Sequence, residues 1–450
     1  MTESSPFEHL IAPVAPERFF RDHWERAPLV VAAAEAGRGA DHYADLLTLA
    51  DLDRLLAEGG LQHPGLRLVR DGKALPRGRF TEDVAWGDGV FRGAIVVERV
   101  LAEHRAGATV VFQALHRSYR PLALLCRDLE RRFAHRFQAN VYLTPPGERG
   151  LGIHFDRHDV FVLQVHGSKN WTIWDAALDL PSRSHRFDAR ATDPGEPIHR
   201  VTLRSGDLLY LPRGYPHRAE ARDEPSVHVA LGVVTTTWVD VFAKALTGLA
   251  EDPAFRRSLP AGTLADPAGW STLEDDFRAL CRRFADTAEL APILDRLAAR
   301  FAETRTPLAT GRLAAASEPV EVDADTLLVR SREVVAYLVQ QGGDGGAGGR
   351  AELVLPGRRV TFPAEARPAL ERMQTGEPFR VGDLPGGIDG ESREVIARRL
   401  VVEGYLVPAD AGVGDEEQRR VRDPALASFG SVRGGFAGRT SAERADAGPP

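Results

Sequence analysis

The spacing of apolar residues changes along this chain from helical to strand-like and back. In residues 138–174 and 201–234, short β-rich runs alternate with Gly and Pro turns, which is typical of an antiparallel barrel or jelly roll. Before them, residues 16–25 carry aromatic side chains at helical spacing and predict an amphipathic helix packed on the body of the protein. After them, residues 237–305 return to a helical period, and we expect a helical subdomain that braces the barrel or forms a dimer interface.

The C-terminal part of the chain follows another pattern. Gln341 is followed by a Gly-rich stretch of the flexible-insert kind, and residues 351–409 predict a strand, two helices and a closing strand, which is a winged-helix pattern. The polar residues beyond cannot bury a core, so we expect them to be disordered. The predicted units are an N-terminal α/β region packed on the barrel (1–95), the barrel (96–236), the helical subdomain (237–320), a winged-helix-like domain (321–411, with the insert at 342–349) and a disordered tail (412–450).

Composition narrows the classes of function. A net charge of −7 and a pI near 6.1 disfavour a chain built chiefly to coat nucleic acid. Residues 351–410 carry eight arginines, no lysine and ten acidic residues, so we expect the winged helix to pack against protein and not against DNA. The chain has neither an apolar run long enough for a membrane span nor a secretory signal at its start, which predicts a cytoplasmic location. Cys126 and Cys281 make no disulfide framework and no thiolate metal site.

A His-x-Asp pair and a distant histidine carry the candidate chemistry. His154 and Asp156 follow a glycine-rich entry, and because side chains alternate along a strand, a strand here would point both to one face. His217 follows an apolar strand and a Pro-Arg-Gly turn, and can complete a two-histidine, one-carboxylate site for Fe(II) with open positions. On the same reasoning Asp159 has the wrong parity, and His158 would lie roughly 13 Å along the strand from His154, so neither is predicted as a ligand.

The open positions of such a site suit a 2-oxo acid and dioxygen. Lys169 lies one strand and one turn after Asp156, where its side chain could reach back into the barrel. A buried lysine without a partner is costly, so a bound dicarboxylate is a physical reason for a lysine at this position. His228, on the strand after His217, is predicted either in the barrel interior or beside the metal ligands.

These residues stand in a recognisable string. Residues 138–147 (QANVYLTPPG) and 154–171 (HFDRHDVFVLQVHGSKNW) resemble the cupin-like Jumonji C (JmjC) oxygenases, specifically the ribosomal oxygenase group. The resemblance implies a mixed α+β protein whose core is a double-stranded β-helix (a jelly-roll cupin of JmjC type), followed by a helical dimerisation subdomain and a C-terminal winged-helix domain. The Gly-rich insert and the long tail depart from that pattern.

The resemblance also assigns roles by position. It implies that His154, Asp156 and His217 bind Fe(II), that Lys169 binds the co-substrate 2-oxoglutarate, and that Asn140 lies in the same pocket. Tyr142 is predicted as either core or pocket wall. The implied activity is hydroxylation of a protein, with O2 as the oxidant, a ribosomal protein as the expected partner and a homodimer as the expected assembly.

Three other functions stay open at this point. The family contains both arginyl and histidyl hydroxylases of ribosomal proteins, and the motifs do not separate them. The same chemistry could hydroxylate a peptide or a small metabolite, or remove N-methyl groups from lysine. A non-enzymatic barrel that senses 2-oxoglutarate or a metal and regulates through the winged helix is the remaining alternative.

Overall fold

A computed structural model describes residues 5–58, 60–187, 193–306, 308, 312–317, 320–340 and 349–409. The predicted Gly-rich insert, apart from Gly349, and the predicted tail lie outside the described residues. Among the helices that are described, none is both long enough and apolar enough to cross a membrane.

The N-terminal region joins the barrel through hydrogen-bonded strands as well as through packed helices. The elements that precede the first long barrel strand are α1 (Pro6–Ile11), α2 (Pro16–Asp22), β1 (Leu29–Val31), α3 (Leu49–Glu58), β2 (Leu66–Arg70), β3 (Lys73–Ala74), β4 (Thr81–Trp86), β5 (Gly89–Ile95), α4 (Val97–Arg105), β6 (Thr109–Phe112) and α5 (Arg120–Phe133). Strands β1, β2 and β3 extend the large sheet of the barrel, whereas β4 and β5 form a separate hairpin.

The predicted antiparallel barrel is confirmed. Its strands are β7 (Arg136–Thr144), β8 (Asp159–His166), β9 (Ser168–Ile173), β10 (His199–Arg204), β11 (Leu208–Leu211), β12 (His217–Ala221) and β13 (Ser226–Val234). One sheet has the order β1-β11-β8-β13-β7-β6-β2-β3, and a second has the order β10-β9-β12. All the pairs in these two sheets are antiparallel.

The two sheets enclose a cavity, and strand parity decides which side chains reach it. On β8, Val160 and Val162 face the cavity, whereas Phe161 packs outward against the N-terminal helices. Phe19 of α2 is fully buried there, with its ring centroid 5.5 Å from that of Phe161 and 4.9 Å from that of Tyr210. Burying aromatic side chains on this outer face fixes the helices to the sheet, as the helical spacing predicted.

Helices dominate the region after the barrel. They are α6 (Trp238–Gly248), α7 (Pro253–Arg256), α8 (Glu274–Thr287), α9 (Leu290–Glu303) and α10 (Arg312–Ser317). The C-terminal part has the elements β14 (Leu327–Arg330), β15 (Tyr337–Leu338), β16 (Arg350–Leu355), β17 (Arg358–Pro363), α11 (Arg367–Gln374), β18 (Phe379–Arg380), α12 (Gly390–Val402) and β19 (Leu406–Pro408). Its strands form two small sheets over a hydrophobic core of their own.

Candidate metal centre

Three predicted ligands converge at one end of the cavity. One ligand atom from each of His154, Asp156 and His217 lies within 4.8 Å of the others, and this is the cluster of potential ligands that the described residues form. His217 Nε2 lies 3.8 Å from Asp156 Oδ2. Two imidazoles and one carboxylate on one side of a cavity are a donor set that suits Fe(II) and leaves coordination positions open.

The local backbone differs from the prediction. The segment that carries His154 and Asp156 is not a strand: His154 forms a single isolated bridge with His217, and the regular strand begins only at Asp159. The bridge has two backbone hydrogen bonds, His154 N to His217 O at 3.2 Å and His217 N to His154 O at 2.8 Å. The ligands therefore meet because the irregular segment around His154 pairs with the first residue of β12. Alternation along a strand is not what places His154 and Asp156 together.

A glycine lets these two segments approach. Gly214 has φ +94°, a left-handed conformation, and its N–H donates to the Asp156 carbonyl at 3.1 Å. A Cβ at this position would lie 2.0 Å from the carbonyl oxygen of Leu178. Only glycine fits this turn, so the Pro-Arg-Gly sequence before His217 has a structural cause.

Both histidines have the tautomer that a metal needs. His154 Nδ1 lies 2.9 Å from the Gly152 carbonyl oxygen, and His217 Nδ1 lies 3.0 Å from that of Tyr215. A carbonyl only accepts, so each Nδ1 carries a proton, and Nε2 is the ring atom that can bind a metal. Burial, with His154 nearby, lowers the pKa of His217 to about 4, which keeps its ring neutral at physiological pH.

Asp156 is ionised beside these rings. Burial raises the pKa of its carboxyl, but the neighbouring His158, His217 and His154 lower it by more, so that the pKa lies below its usual range. The carboxylate is the form that binds a divalent cation.

Lys169 lies in the cavity wall, where the sequence predicted it. It is 3% exposed on β9, and its Nζ donates to Thr144 Oγ1 at 2.8 Å. No carboxylate among the described residues pairs with it. Burial lowers the pKa of Lys169 to about 7. A buried ammonium that lacks a counter-ion is unfavourable, so the site fits an anionic ligand.

Asn140 lines the same cavity and has a fixed orientation. Its Oδ1 accepts hydrogen bonds from the backbone N–H of Ala114 at 2.8 Å and from Gln113 Nε2 at 2.9 Å. Because a backbone N–H can only donate, the amide oxygen must face Ala114, and the amide nitrogen is left for other partners.

Tyr142 and His228 form a further part of the wall. Their rings stack with centroids 4.8 Å apart and an interplanar angle of 4°, and the Trp171 ring meets His228 edge-on at 5.7 Å. Burial raises the pKa of Tyr142 to about 12. Burial, with Lys169 and His217 nearby, lowers the pKa of His228 well below its ordinary value. Both side chains are therefore neutral, and His228, which the sequence left between two positions, lies in the barrel interior.

The structure adds wall residues that sequence reasoning missed. Trp171 lines the cavity two residues after Lys169, and Thr144, two residues after Tyr142, is buried and accepts the hydrogen bond from Lys169, so strand parity could have identified both. His158 also lines the cavity. Its predicted distance from His154 assumed an extended strand, which the chain does not form there. Asp159 points away from the cavity and accepts hydrogen bonds from Tyr210 and Arg213, as its parity indicated.

The cavity has a volume of about 110 Å³. Its described lining contains one carboxylate, that of Asp156, and one lysine, Lys169. The imidazoles, the single carboxylate and the unpaired lysine fit a divalent metal together with an anionic co-substrate.

Comparisons with known proteins agree with this arrangement. Residues 116–241 match the JmjC domain family model. Ribosomal oxygenase 1 of Rattus norvegicus is 31% identical over 439 residues, which cover 84% of this chain and 68% of that protein. Ribosomal oxygenase 1 of Gallus gallus is 32% identical over 321 residues, or 66% of this chain and 50% of that protein. The chain spans about half the length of several curated relatives that it matches.

One further relative in sequence and one solved structure are also similar to this chain. A Drosophila persimilis protein named bifunctional lysine-specific demethylase and histidyl-hydroxylase NO66 is 32% identical over 235 residues, or 49% of this chain and 30% of that protein. The solved structure of Escherichia coli YcfD superposes with a TM-score of 0.51 at 18% identity, covering 88% of this chain and 98% of that one. At this identity the superposition supports the fold. The sequence matches, the family model and the shared fold together show that this chain belongs to the ribosomal oxygenase family of JmjC proteins.

Proposed function

We propose that this chain is an Fe(II)- and 2-oxoglutarate-dependent hydroxylase that acts on a ribosomal protein. The observation that carries the proposal is the presence of a His-Asp-His ligand set and a buried, unpaired lysine in one cavity. Iron and 2-oxoglutarate, when bound, would supply with O2 the oxidising power to hydroxylate a substrate C–H bond, with release of succinate and CO2. Relatives named ribosomal oxygenase support the substrate class.

The chain's own residues divide the work of binding. His154, Asp156 and His217 would hold the metal through the two Nε2 atoms and a carboxylate oxygen. Lys169, supported by Thr144, would bind the far carboxylate of 2-oxoglutarate, which removes the cost of its unpaired burial. Asn140 is proposed to donate from its amide nitrogen into the same pocket. Excluding water from this wall strengthens each of these interactions.

Tyr142, His228 and Trp171 are proposed to shape the space that the substrate side chain enters. Asp156, a proposed metal ligand, is the one carboxylate of the described lining, so an arginine side chain would meet no free counter-charge and would lie near Lys169. An unpaired buried cation is unfavourable, whereas a neutral imidazole needs no counter-ion. Histidine is therefore the target residue we propose, in agreement with the histidyl-hydroxylase named among the relatives.

An exposed apolar face supports the homodimer that we propose. Helix α6 exposes Trp238, Phe242 and Leu246 at four-residue intervals, each more than half accessible. Such a stripe is what a second copy would cover, so a homodimer is the assembly we propose for the helical subdomain (237–320).

The C-terminal part is proposed as a winged helix that packs on protein, since Arg332 pairs with Asp128 of α5 at 2.6 Å and Arg131 donates to the Arg332 carbonyl at 2.8 Å.

The remaining predicted domain boundaries (1–95, 96–236 and 321–411) are kept as part of the proposal, as is a cytoplasmic location.

The test of the activity is turnover by purified full-length protein. Incubation with Fe(II), 2-oxoglutarate and a ribosomal protein fraction should release succinate and add one oxygen atom to a histidine, and Asp156→Ala should abolish both. Succinate release with a small metabolite but with no ribosomal protein would favour the biosynthetic alternative. Binding of 2-oxoglutarate without any turnover would favour a sensor.

A further inference from the structure

A cluster of polar side chains lies behind the proposed metal ligands, and none of its members lines the cavity. Asp159 is completely inaccessible, and Arg213 is 6% exposed. Glu25, which lies in the N-terminal segment after α2, and Tyr210 of β11 complete the group. Charged side chains are seldom buried to this extent unless they are paired.

Every member of this group has partners within the group. Arg213 Nη1 lies 2.7 Å from Asp159 Oδ2 and 2.6 Å from Glu25 Oε1. Tyr210 donates its hydroxyl proton to Asp159 Oδ1 at 3.0 Å and accepts from the Glu25 backbone N–H at 3.0 Å. The network is thus closed and involves three parts of the chain that are far apart in sequence.

Its position in the chain ties it to the metal site. Asp159 comes three residues after Asp156, and Arg213 comes four residues before His217. The ion pair therefore joins the start of β8, just after Asp156, to the turn that precedes His217, on the side opposite to the cavity. The segment with Asp156 has no regular strand pairing apart from the bridge between His154 and His217, whereas His217 begins β12 and pairs with Ile173 of β9.

Stability alone does not explain such a pair. The desolvation of two buried charges often offsets their attraction, and an apolar pair of similar size is frequently as stable. What a closed ion-pair network adds is a defined distance and direction between the segments it joins. Residues that support metal ligands from behind commonly affect metal affinity about 10-fold to 100-fold.

We propose that Asp159, Arg213 and Glu25 are positioning residues that hold Asp156 and His217 at ligand spacing. The N-terminal segment takes part through Glu25 and through a second contact, in which Tyr215 OH donates to the Arg26 carbonyl at 2.7 Å. Metal affinity then depends on a segment that contributes no ligand. This inference rests on the proposed function, because it requires the His-Asp-His site to bind a metal.

The test compares two buried carboxylates: Asp159, which begins β8 and contacts Arg213 after the end of β11, and Asp207, which precedes β11. Asp159→Asn removes the charge that pairs with Arg213. Asp207→Asn is the matched control: Asp207 is 6% exposed and accepts from the Ala33 and Arg204 backbone N–H groups, at the end of β11 away from His217. Affinity for Mn(II) is measured on the full chain by the loss of the free-ion EPR signal, and the thermal unfolding of the metal-free variants is recorded alongside.

We expect Asp159→Asn to weaken Mn(II) binding about 10-fold or more, and Asp207→Asn to lower the unfolding temperature without changing Mn(II) affinity. Should Asp159→Asn fail to fold, Glu25→Gln replaces it, because Glu25 is partly exposed and tolerates the change better. Wild-type Mn(II) affinity in a folded Asp159→Asn or Glu25→Gln variant would overturn the inference, as would equal weakening in Asp207→Asn. His154→Ala separates the two proposals: if it also keeps Mn(II) affinity, the metal site itself is wrong.

Discussion

Replacing Lys169 by methionine is the perturbation whose result follows most directly from the described geometry. Methionine keeps most of the apolar stem but removes the ammonium that donates to Thr144. In the metal-free protein this ammonium is buried and has no carboxylate partner among the described residues, so we expect Lys169→Met to fold at least as stably as the wild type at pH 7.

Whereas Lys169→Met should not reduce the stability of the fold, it should weaken the binding of 2-oxoglutarate. A hydrogen bond to a charged group contributes about 1.5 to 3 kcal/mol, and leaving a buried carboxylate without its partner costs about 3 to 5 kcal/mol. Taking about 3 kcal/mol, at 1.4 kcal/mol for each factor of ten, the Kd for 2-oxoglutarate should rise roughly 100-fold. The increase should occur in the Mn(II)-loaded protein as well, because the change does not touch a metal ligand.

Isothermal titration of 2-oxoglutarate into Mn(II)-loaded protein is the assay, with unfolding temperature as a second readout. Lys73→Met is the matched control, since Lys73 is an exposed lysine on β3. Wild-type affinity for 2-oxoglutarate in Lys169→Met would show that Lys169 does not bind the co-substrate, as would an equal loss in Lys73→Met.

Three further predictions concern the pH dependence of stability, the metal site and the proposed dimer. The pKa of Lys169 is lowered by burial to about 7. The unfolded chain therefore binds more protons than the folded one between about pH 7 and the ordinary lysine pKa, so the unfolding free energy should rise with pH across that window in the wild type and less in Lys169→Met. His217→Ala should abolish measurable Mn(II) binding in titrations, whereas His185→Ala, an exposed histidine outside the cavity lining, should retain it. Phe242→Glu should convert a dimer to a monomer in analytical ultracentrifugation without reducing Mn(II) affinity; an unchanged sedimentation coefficient would contradict the proposed interface.

The parts of the fold that depend on local periodicity were predictable from the sequence. Short β-rich runs between Gly and Pro turns identified the barrel strands, and the place of Lys169 one strand and one turn after Asp156 predicted that its side chain reaches into the barrel. Helical spacing identified α2, whose Phe19 packs on the outer face of the large sheet. These features are set by neighbours two to four residues apart, which a sequence displays directly.

The site depended partly on information that a sequence does not display. The strand predicted for His154 and Asp156 was wrong because the backbone bends at Ile153 and at Arg157, and the segment is held by one bridge and one hydrogen bond to Gly214. The same error put His158 too far away. The ion pair between Asp159 and Arg213 spans 54 residues, and the contact of Arg213 with Glu25 spans 188. Pairings over such separations are fixed by tertiary structure.

Mass spectrometry of ribosomal proteins from the source organism tests the central claim most directly. Cells with the gene, cells without it, and cells complemented with an Asp156→Ala variant would be compared. We predict that one histidine of a ribosomal protein carries an added oxygen atom in cells with the gene. The same histidine should lack that atom in cells without the gene and in cells with Asp156→Ala. Identical ribosomal proteins in all three strains would contradict the proposed substrate class, and a modification that persists with Asp156→Ala would contradict the metal site.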